Sequence, residues 1–289
     1  MILIVGCGFL GSYLAKEILK NTDESLMVTS RNTEKLLLPS SAKSVYCDVT
    51  DKESVRKLGD LCQGEELTVF YLAACHNVDY VYENPEKARE VNIGGLRNFL
   101  DTVPNIKKLF FASTDCVYGE GKGLSYKFSE ESSLNPVNEY GRQKIEAEKI
   151  VLKKGYTVLR FPFMLGPSLG EKPHFYDKIL SVLMGGETVE LIDGMERSVI
   201  SFSQAAQLAY SLSRLDGVPQ IINVCGDSAL SKYEIGCLLA QKTGRALDGI
   251  KKISEEDGKN FFKDSRASFA CMDNSLLKSI LNIDEIKYM

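Results

Sequence analysis

No apolar run in the chain approaches the length of a membrane span, which argues against a helical membrane protein. Eight cysteines, at positions 7, 47, 62, 75, 116, 225, 237 and 271, include no C-x-x-C pair, so neither a zinc site nor a disulfide framework is expected. Several of them lie in apolar strand-like runs and read as reduced core residues. Basic excess is missing too: 35 Lys and Arg against 39 Asp and Glu, with a pI near 5.5, leave no electrostatic footprint for nucleic acid. There is no internal repeat, low-complexity tract or linker. The first strand-like run starts at Ile2, so no signal peptide is expected and the expected location is cytoplasmic. What is present is 289 residues, 44% of them hydrophobic, enough for a substantial core in one large or two intimately joined domains.

Ile2-Leu-Ile-Val-Gly6-Cys-Gly8-Phe9-Leu10-Gly11 is an apolar run that breaks into Gly-x-Gly-x-x-Gly and then a helical pattern carrying Leu14, Ile18 and Leu19. Glycines mark ordinary turns in any chain, but between a strand and an amphipathic helix they suit a dinucleotide. Gly6 would permit the tight turn, Gly8 the approach of a pyrophosphate, and Gly11 the packing of helix on strand. The helix N-terminus would supply N–H groups and partial positive charge. Phe9 and Leu10, inside the motif, join the candidate cofactor contacts.

An acid at the end of the second strand would accept hydrogen bonds from the adenosine ribose of NAD. This chain has none: Leu26–Ser30 ends in Ser30-Arg31-Asn32. Ser30 and the Arg31 guanidinium can hydrogen-bond and neutralise a 2′-phosphate, so NADP(H) is expected over NAD(H), the competing reading of Arg31 being a solvated loop side chain.

Strand-like runs at Ile2–Val5, Leu26–Ser30, Ser44–Cys47, Val69–Ala74, Leu109–Ser113 and Thr157–Arg160 alternate with helical segments at Gly11–Asn21, Lys52–Leu61, Pro85–Asp101 and Tyr140–Lys154. Such alternation predicts an α/β fold, a doubly wound parallel sheet of Rossmann type. After about residue 161 the alternation falters. Phe161–Gly170 reads as a loop, Tyr176–Gly185, Gln204–Leu215 and Lys232–Thr243 as helices, and Ile221–Cys225 as a strand. Residues 1–166 are expected to form the cofactor domain with its catalytic groups. Residues 167–289 are expected to form mainly a small substrate-binding lid, with 195–225 returning to the core.

Tyr140 and Lys144 are four apart and share one helical face. An ammonium beside a phenol stabilises the phenolate, giving an acid–base group at neutral pH, although Tyr and Lys at this spacing also occur on many solvated helices. Leu109-Phe-Phe-Ala-Ser113-Thr114-Asp115-Cys-Val-Tyr118-Gly119 reads as a strand ending in hydroxyl residues, and in such a sheet that end faces the cofactor crevice.

The order Gly-x-Gly-x-x-Gly, Leu72-Ala-Ala, Ser-Thr-Asp-x-Val-Tyr-Gly and Tyr-x-x-x-Lys resembles the extended short-chain dehydrogenase/reductase family. Val91-Asn92-x-x-Gly95 and Asn135-Pro-x-Asn-x-Tyr140-Gly-x-x-Lys144 are similar to its dTDP-4-dehydrorhamnose reductase and nucleotide-sugar epimerase branch. The likeness is dense over residues 1–166 and thin beyond. It implies that Thr114 holds the substrate oxygen, with Asp115 beside it as a substrate contact, that Tyr140 is the acid–base residue, and that Lys144 holds the nicotinamide ribose and depresses the tyrosine pKa. It places Asp48 and Val49 beside the adenine, Leu72, Ala73 and Ala74 under the cofactor, and Phe161-Pro162 over the nicotinamide. Asn92 matches a helix asparagine whose role is either catalytic or a local distortion of the helix.

In the second half, Arg197-Ser-Val-Ile-Ser-Phe-Ser-Gln204 resembles the segment whose Arg meets the substrate's phosphates, with Gln204 in place of the usual acid; a surface salt bridge is the other reading of Arg197. Lys172-Pro-His174 could touch substrate or be a solvated loop, and His76 could line the crevice or be structural. The implied function is NADP(H)-dependent reduction of a nucleotide-linked keto sugar, with an epimerase or dehydratase holding NAD(P) tightly, or a non-catalytic cofactor-binding regulatory subunit, as alternatives. The expected partner is the nucleotide sugar, with neither nucleic acid nor membrane; a homodimer is compatible with it.

Overall fold

The computed structural model describes residues 1–39, 41–170 and 173–288. In chain order its first half contains β1 (Ile2–Val5), α1 (Phe9–Asn21), β2 (Leu26–Ser30), β3 (Ala42–Tyr46), α2 (Lys52–Leu61), β4 (Leu67–Tyr71), α3 (Val78–Glu83), α4 (Pro85–Arg89), a π-turn at Glu90–Gly94, α5 (Gly95–Thr102), β5 (Ile106–Thr114), α6 (Glu139–Lys153) and β6 (Thr157–Phe161). The second half adds β7 (Phe163–Leu165), α7 (Phe175–Met184), β8 (Val189–Ile192), β9 (Glu196–Ser201), α8 (Phe202–Ser213), β10 (Ile221–Asn223), β11 (Ala229–Leu230), α9 (Lys232–Lys242), β12 (Ile250–Ile253), α10 (Glu255–Lys259), β13 (Phe269–Ala270) and α11 (Ser275–Leu281).

Seven parallel strands form the central sheet in the order β10-β6-β5-β4-β1-β2-β3. All four residues of β1 are buried, as a strand covered on both faces requires. The chain reverses direction across the sheet between β1 and β4, and in open α/β sheets that switch point opens the ligand crevice. One face packs Leu14, Ile18, Val28, Phe110 and Leu159 against Ala205, Ala209 and Leu212 of α8; the other packs Leu3, Val69, Phe111 and Val158 against Leu58, Phe99 and Val151.

Beside this body, β7 and β13 lie parallel and β11 antiparallel to β9, and β8 pairs with β12. Leu165, Leu183, Leu191, Val199 and Leu239 give this smaller layer its own apolar centre.

Three of the differences from the sequence reading bear on the site. The span expected to be one helix over Pro85–Asp101 contains the π-turn, where buried Asn92 turns its amide onto the Cys75 backbone and so widens the helical turn. The strand expected to reach Ala74 stops at Tyr71, because the following backbone bends across the Gly6 turn. Phe161–Gly170 is not all loop: Phe163-Met-Leu165 pairs with Val199–Ser201.

Candidate functional site

The glycine turn is built by contact and by space. Gly6 has φ +89°, and a Cβ there would stand 2.5 Å from the Ala73 Cα, so only glycine fits. A Cβ on Gly11 would meet the Gly6 carbonyl at 3.2 Å, which explains the close seat of α1 on β1. Gly8 is different: nothing lies within 4 Å of its Cβ position, and it precedes a helix with no side-chain cap and no acid in its first turn. Phe9 stacks on Phe202 and Leu10 is buried, so both offer the crevice only their backbone. An open cradle before uncapped N–H groups fits a pyrophosphate.

At the far end of the crevice, the Ser30 hydroxyl donates to the Asn32 carbonyl and accepts its N–H, bracing its own turn. Arg31 is exposed and its charge reaches Asp48 and Cys75. Burial raises the Asp48 pKa, but hydrogen bonds from the Thr50 N–H and hydroxyl, with the Arg31 charge, outweigh it and hold the carboxyl below its usual range. Buried Val49 packs where a Cβ on Gly95 would fall, 2.5 Å from its Cγ2. Leu72, Ala73 and Ala74 are half-buried just past β4.

Thr114 ends β5, and its Oγ1 accepts the Cys116 N–H. Asn138 caps α6 by accepting the Gly141 N–H, which starts the helix so that Tyr140 and Lys144 turn towards β5. Lys144 Nζ donates to the Ala112 carbonyl at 2.6 Å and lies 4.1 Å from the centre of the Phe111 ring. Burial pulls its pKa down to about 7, against the opposing charge of Glu148. Tyr140 is buried near Cys116, Asp115 and Cys75; burial, then those groups, push its pKa well up, and Arg197 is the cation that opposes them. In this geometry the Lys144 ammonium donates to a strand carbonyl, and the groups that set the Tyr140 pKa are burial, Cys116, Asp115, Cys75 and Arg197.

Asn92 accepts the Cys75 N–H at 2.7 Å and donates to the Cys75 carbonyl and to Gln143 Oε1. It thus ties the segment after β4 to α6, and the structure brings it to the helix distortion, with no hydrogen bond to Thr114, Tyr140 or Lys144. Phe161 and Pro162 are buried where β6 passes into β7.

Asp115 and Arg197 are joined to each other. Arg197 Nε donates to Asp115 Oδ2 at 2.9 Å and Nη2 to Oδ1, while Thr114 Oγ1 donates to the same Oδ1 at 3.1 Å. The surface salt bridge reading of Arg197 needs correction, because its partner is a carboxylate 2% exposed at the end of β5, while the Arg197 side chain itself stays 30% exposed. Gln204 lies in the first turn of α8, its N–H capped by Ser201.

Two cations that sequence reasoning passed over approach Arg197. Arg266 lines the same small pocket as Arg197, Asp115, Cys116, Gly119 and Asn138, and pairs with Asp79 at 2.9 Å. Lys232, at the start of α9, lies 4.9 Å from the centre of the Phe262 ring; burial, with repulsion from Arg197 and Arg266, lowers its pKa to about 8. No motif marked either residue, since each is an isolated cation in an irregular tail. His174 is half-buried, its ring edge-on to Phe9 and Phe202, so the solvated-loop reading does not hold for it. His76 is exposed beyond β4, and Lys172 lies outside the described residues.

A seven-stranded sheet with this turn, this strand end and a Tyr-x-x-x-Lys helix defines an extended short-chain dehydrogenase/reductase. The model of the NAD dependent epimerase/dehydratase family matches residues 2–224, and the chain belongs to that family. It is 28% identical over 205 residues to a UDP-glucose 4-epimerase of Lactobacillus helveticus, a match covering 65% of this chain and 61% of the relative's length. An uncharacterized UDP-glucose epimerase of Bacillus subtilis (strain 168) is 26% identical over 296 residues, 92% of this chain and 90% of the relative. In fold the chain is similar to the dTDP-4-dehydrorhamnose reductase of Bacillus anthracis str. Ames in complex with NADP, with TM-score 0.80, 17% identity, and 99% and 94% of the two chains covered. No helix among the described residues is long and apolar enough to cross a membrane.

Proposed function

We propose that the chain is an NADP(H)-dependent reductase of a nucleotide-linked keto sugar. The observation that carries this reading is the gathering of Arg197, Arg266 and Lys232 beside Asp115 and Tyr140, in a chain that also keeps an open, uncapped cradle at Gly8. The cradle suits the cofactor's pyrophosphate and the cations the diphosphate of a nucleotide sugar. Arg31, with no acid at the strand end, favours a 2′-phosphorylated cofactor.

Residues 1–166 would hold the cofactor and the reacting groups, and the layer formed from 167–289 would cover the substrate. When bound, the nicotinamide supplies the hydride. Tyr140 would give its proton to the oxygen that becomes an alkoxide, and its raised pKa keeps that proton in place until the charge develops. Thr114 would fix that oxygen, and Lys144 the nicotinamide ribose. Reduction is favoured over dehydration because loss of water from the sugar needs a second acid–base group. Asp115 is committed to Arg197 and Thr114, and burial pushes the Cys116 thiol up.

A panel of nucleotide-linked 4-keto sugars, assayed for NADPH consumption, tests the reading. Stoichiometric NADPH oxidation with formation of the alcohol is the expected result. Epimer formation without net oxidation would replace the reductase by an epimerase, and cofactor binding without turnover on the whole panel would favour a regulatory subunit.

A further inference from the structure

We infer that Asp115 is a positioning residue that couples the grip on the substrate's diphosphate to the orientation of Thr114. The inference rests on the nucleotide-linked reading above and adds to it how the two ends of the substrate site are tied together.

One buried carboxylate serves two masters. Its Oδ1 takes the Thr114 hydroxyl at 3.1 Å, and its two oxygens take Nε and Nη2 of Arg197. A guanidinium is planar, so fixing Nε and Nη2 fixes the direction of Nη1, which makes no hydrogen bond among the described residues. The Asp115 side chain is 2% exposed while that of Arg197 is 30% exposed, so the anchor is buried and the anchored group reaches the pocket it shares with Arg266. Arg197 is thereby held on a buried anchor, and the same carboxylate sets the orientation of the Thr114 hydroxyl. Arg197 Nη2 also donates to Cys116 Sγ at 3.7 Å, a second tie on the same edge of the guanidinium.

The sign of one substitution separates this role from that of a neighbouring charge. A carboxylate that merely stands beside an anion site repels the anion, so removing its charge should tighten binding. If Asp115 presents Arg197, removing its charge releases the fork and binding weakens.

UDP and dTDP, without a sugar, are the probes, titrated by calorimetry into the wild-type chain and into Asp115→Asn, Arg197→Lys and Arg197→Ala, with NADPH affinity and thermal unfolding as controls. Asp115→Asn should weaken the nucleoside diphosphate about tenfold, the worth of one charge-assisted hydrogen bond, with NADPH unchanged. Arg197→Lys keeps the charge but cannot span both carboxylate oxygens, and should bind like Arg197→Ala; it decides the matter if Asp115→Asn does not fold. Unchanged or tighter binding by Asp115→Asn, or wild-type affinity in Arg197→Lys, overturns the inference alone. A wild-type chain that binds neither nucleotide overturns the nucleotide-linked reading and this inference together.

Discussion

Glu148 and Arg160 form a forked ion pair in which both side chains are 2% exposed, one helical turn beyond Lys144. Arg160 Nε and Nη2 donate to the two carboxylate oxygens at 3.0 and 2.7 Å, Nη1 reaches the Tyr118 hydroxyl at 2.9 Å, and that hydroxyl donates to Asn223 at 2.6 Å. Ser113, next to Thr114, closes the network on Glu148. The pair therefore locks α6 to β5, β6 and β10. Glu148→Ala should destabilise the fold by about 3–5 kcal/mol, because it strands a buried guanidinium, whereas replacing both partners with apolar residues of similar volume should recover much of the loss. Denaturant unfolding of the single and paired variants gives the comparison, and equal losses would mean that the charges are not coupled.

Tyr140→Phe keeps the ring in its seat beside Val81 and Ala88 and removes only the transferable proton. Turnover should fall by about 10²–10⁴-fold with NADPH affinity nearly unchanged. Lys144→Ala should damage both, since the proposed function assigns its ammonium to the ribose. Single-turnover rates alongside cofactor titration make the distinction, and near wild-type turnover in Tyr140→Phe would remove the tyrosine from the chemistry.

Much of this site was legible before any coordinates because it is local. The β1 turn, the hydroxyl end of β5 and the Tyr140–Lys144 helix each lie within one short segment, where glycine spacing and helical period report directly on geometry. What stayed hidden depends on pairings distant in sequence. Arg197 meets Asp115 82 residues away, and Asp79 draws in Arg266 from 187 residues on. The π-turn at Asn92 was equally invisible, since it arises from a hydrogen bond to Cys75 on another element. The short strands of the smaller layer, down to two residues in β11 and β13, carry no period to read.

Arg31→Ala should weaken NADPH far more than NADH, because a charge-assisted bond to a 2′-phosphate exists only in the former. Arg31 is exposed and makes no ion pair among the described residues, and its charge lies near Asp48, so the variant should fold normally. Fluorescence titration of both cofactors measures the ratio, and equal losses would refute the NADP preference.

His174 supplies a pH signature. Burial among Phe9, Phe163 and Phe202, against the nearby Asp177 charge, pulls its pKa down to about 4. The unfolded imidazole, with its ordinary value near 6.5, then binds more protons than the folded one between those values, so stability should fall as pH drops through that window. His174→Phe keeps the aromatic packing and lacks the titrating group, and should flatten that part of the profile. Urea midpoints between about pH 4 and 6.5 are the measurement; parallel curves for the two proteins would show that other groups dominate.

Gly6 and Gly8 differ by two positions and should fail in different ways. At Gly6, φ is +89° and an added Cβ would meet the Ala73 backbone at 2.5 and 2.6 Å, so Gly6→Ala should destabilise the apoprotein whatever is bound. At Gly8 φ is −100°, outside the left-handed region that demands glycine, and nothing of the protein lies within 4 Å of the new methyl. Gly8→Ala should therefore leave thermal unfolding of the apoprotein almost unchanged while weakening NADPH by at least about tenfold, because the methyl occupies the space through which the pyrophosphate reaches the helix N-terminus. The two measurements divide the motif into a part that folds the chain and a part that receives the cofactor. Wild-type NADPH affinity in Gly8→Ala would mean that the open cradle is not where the dinucleotide binds.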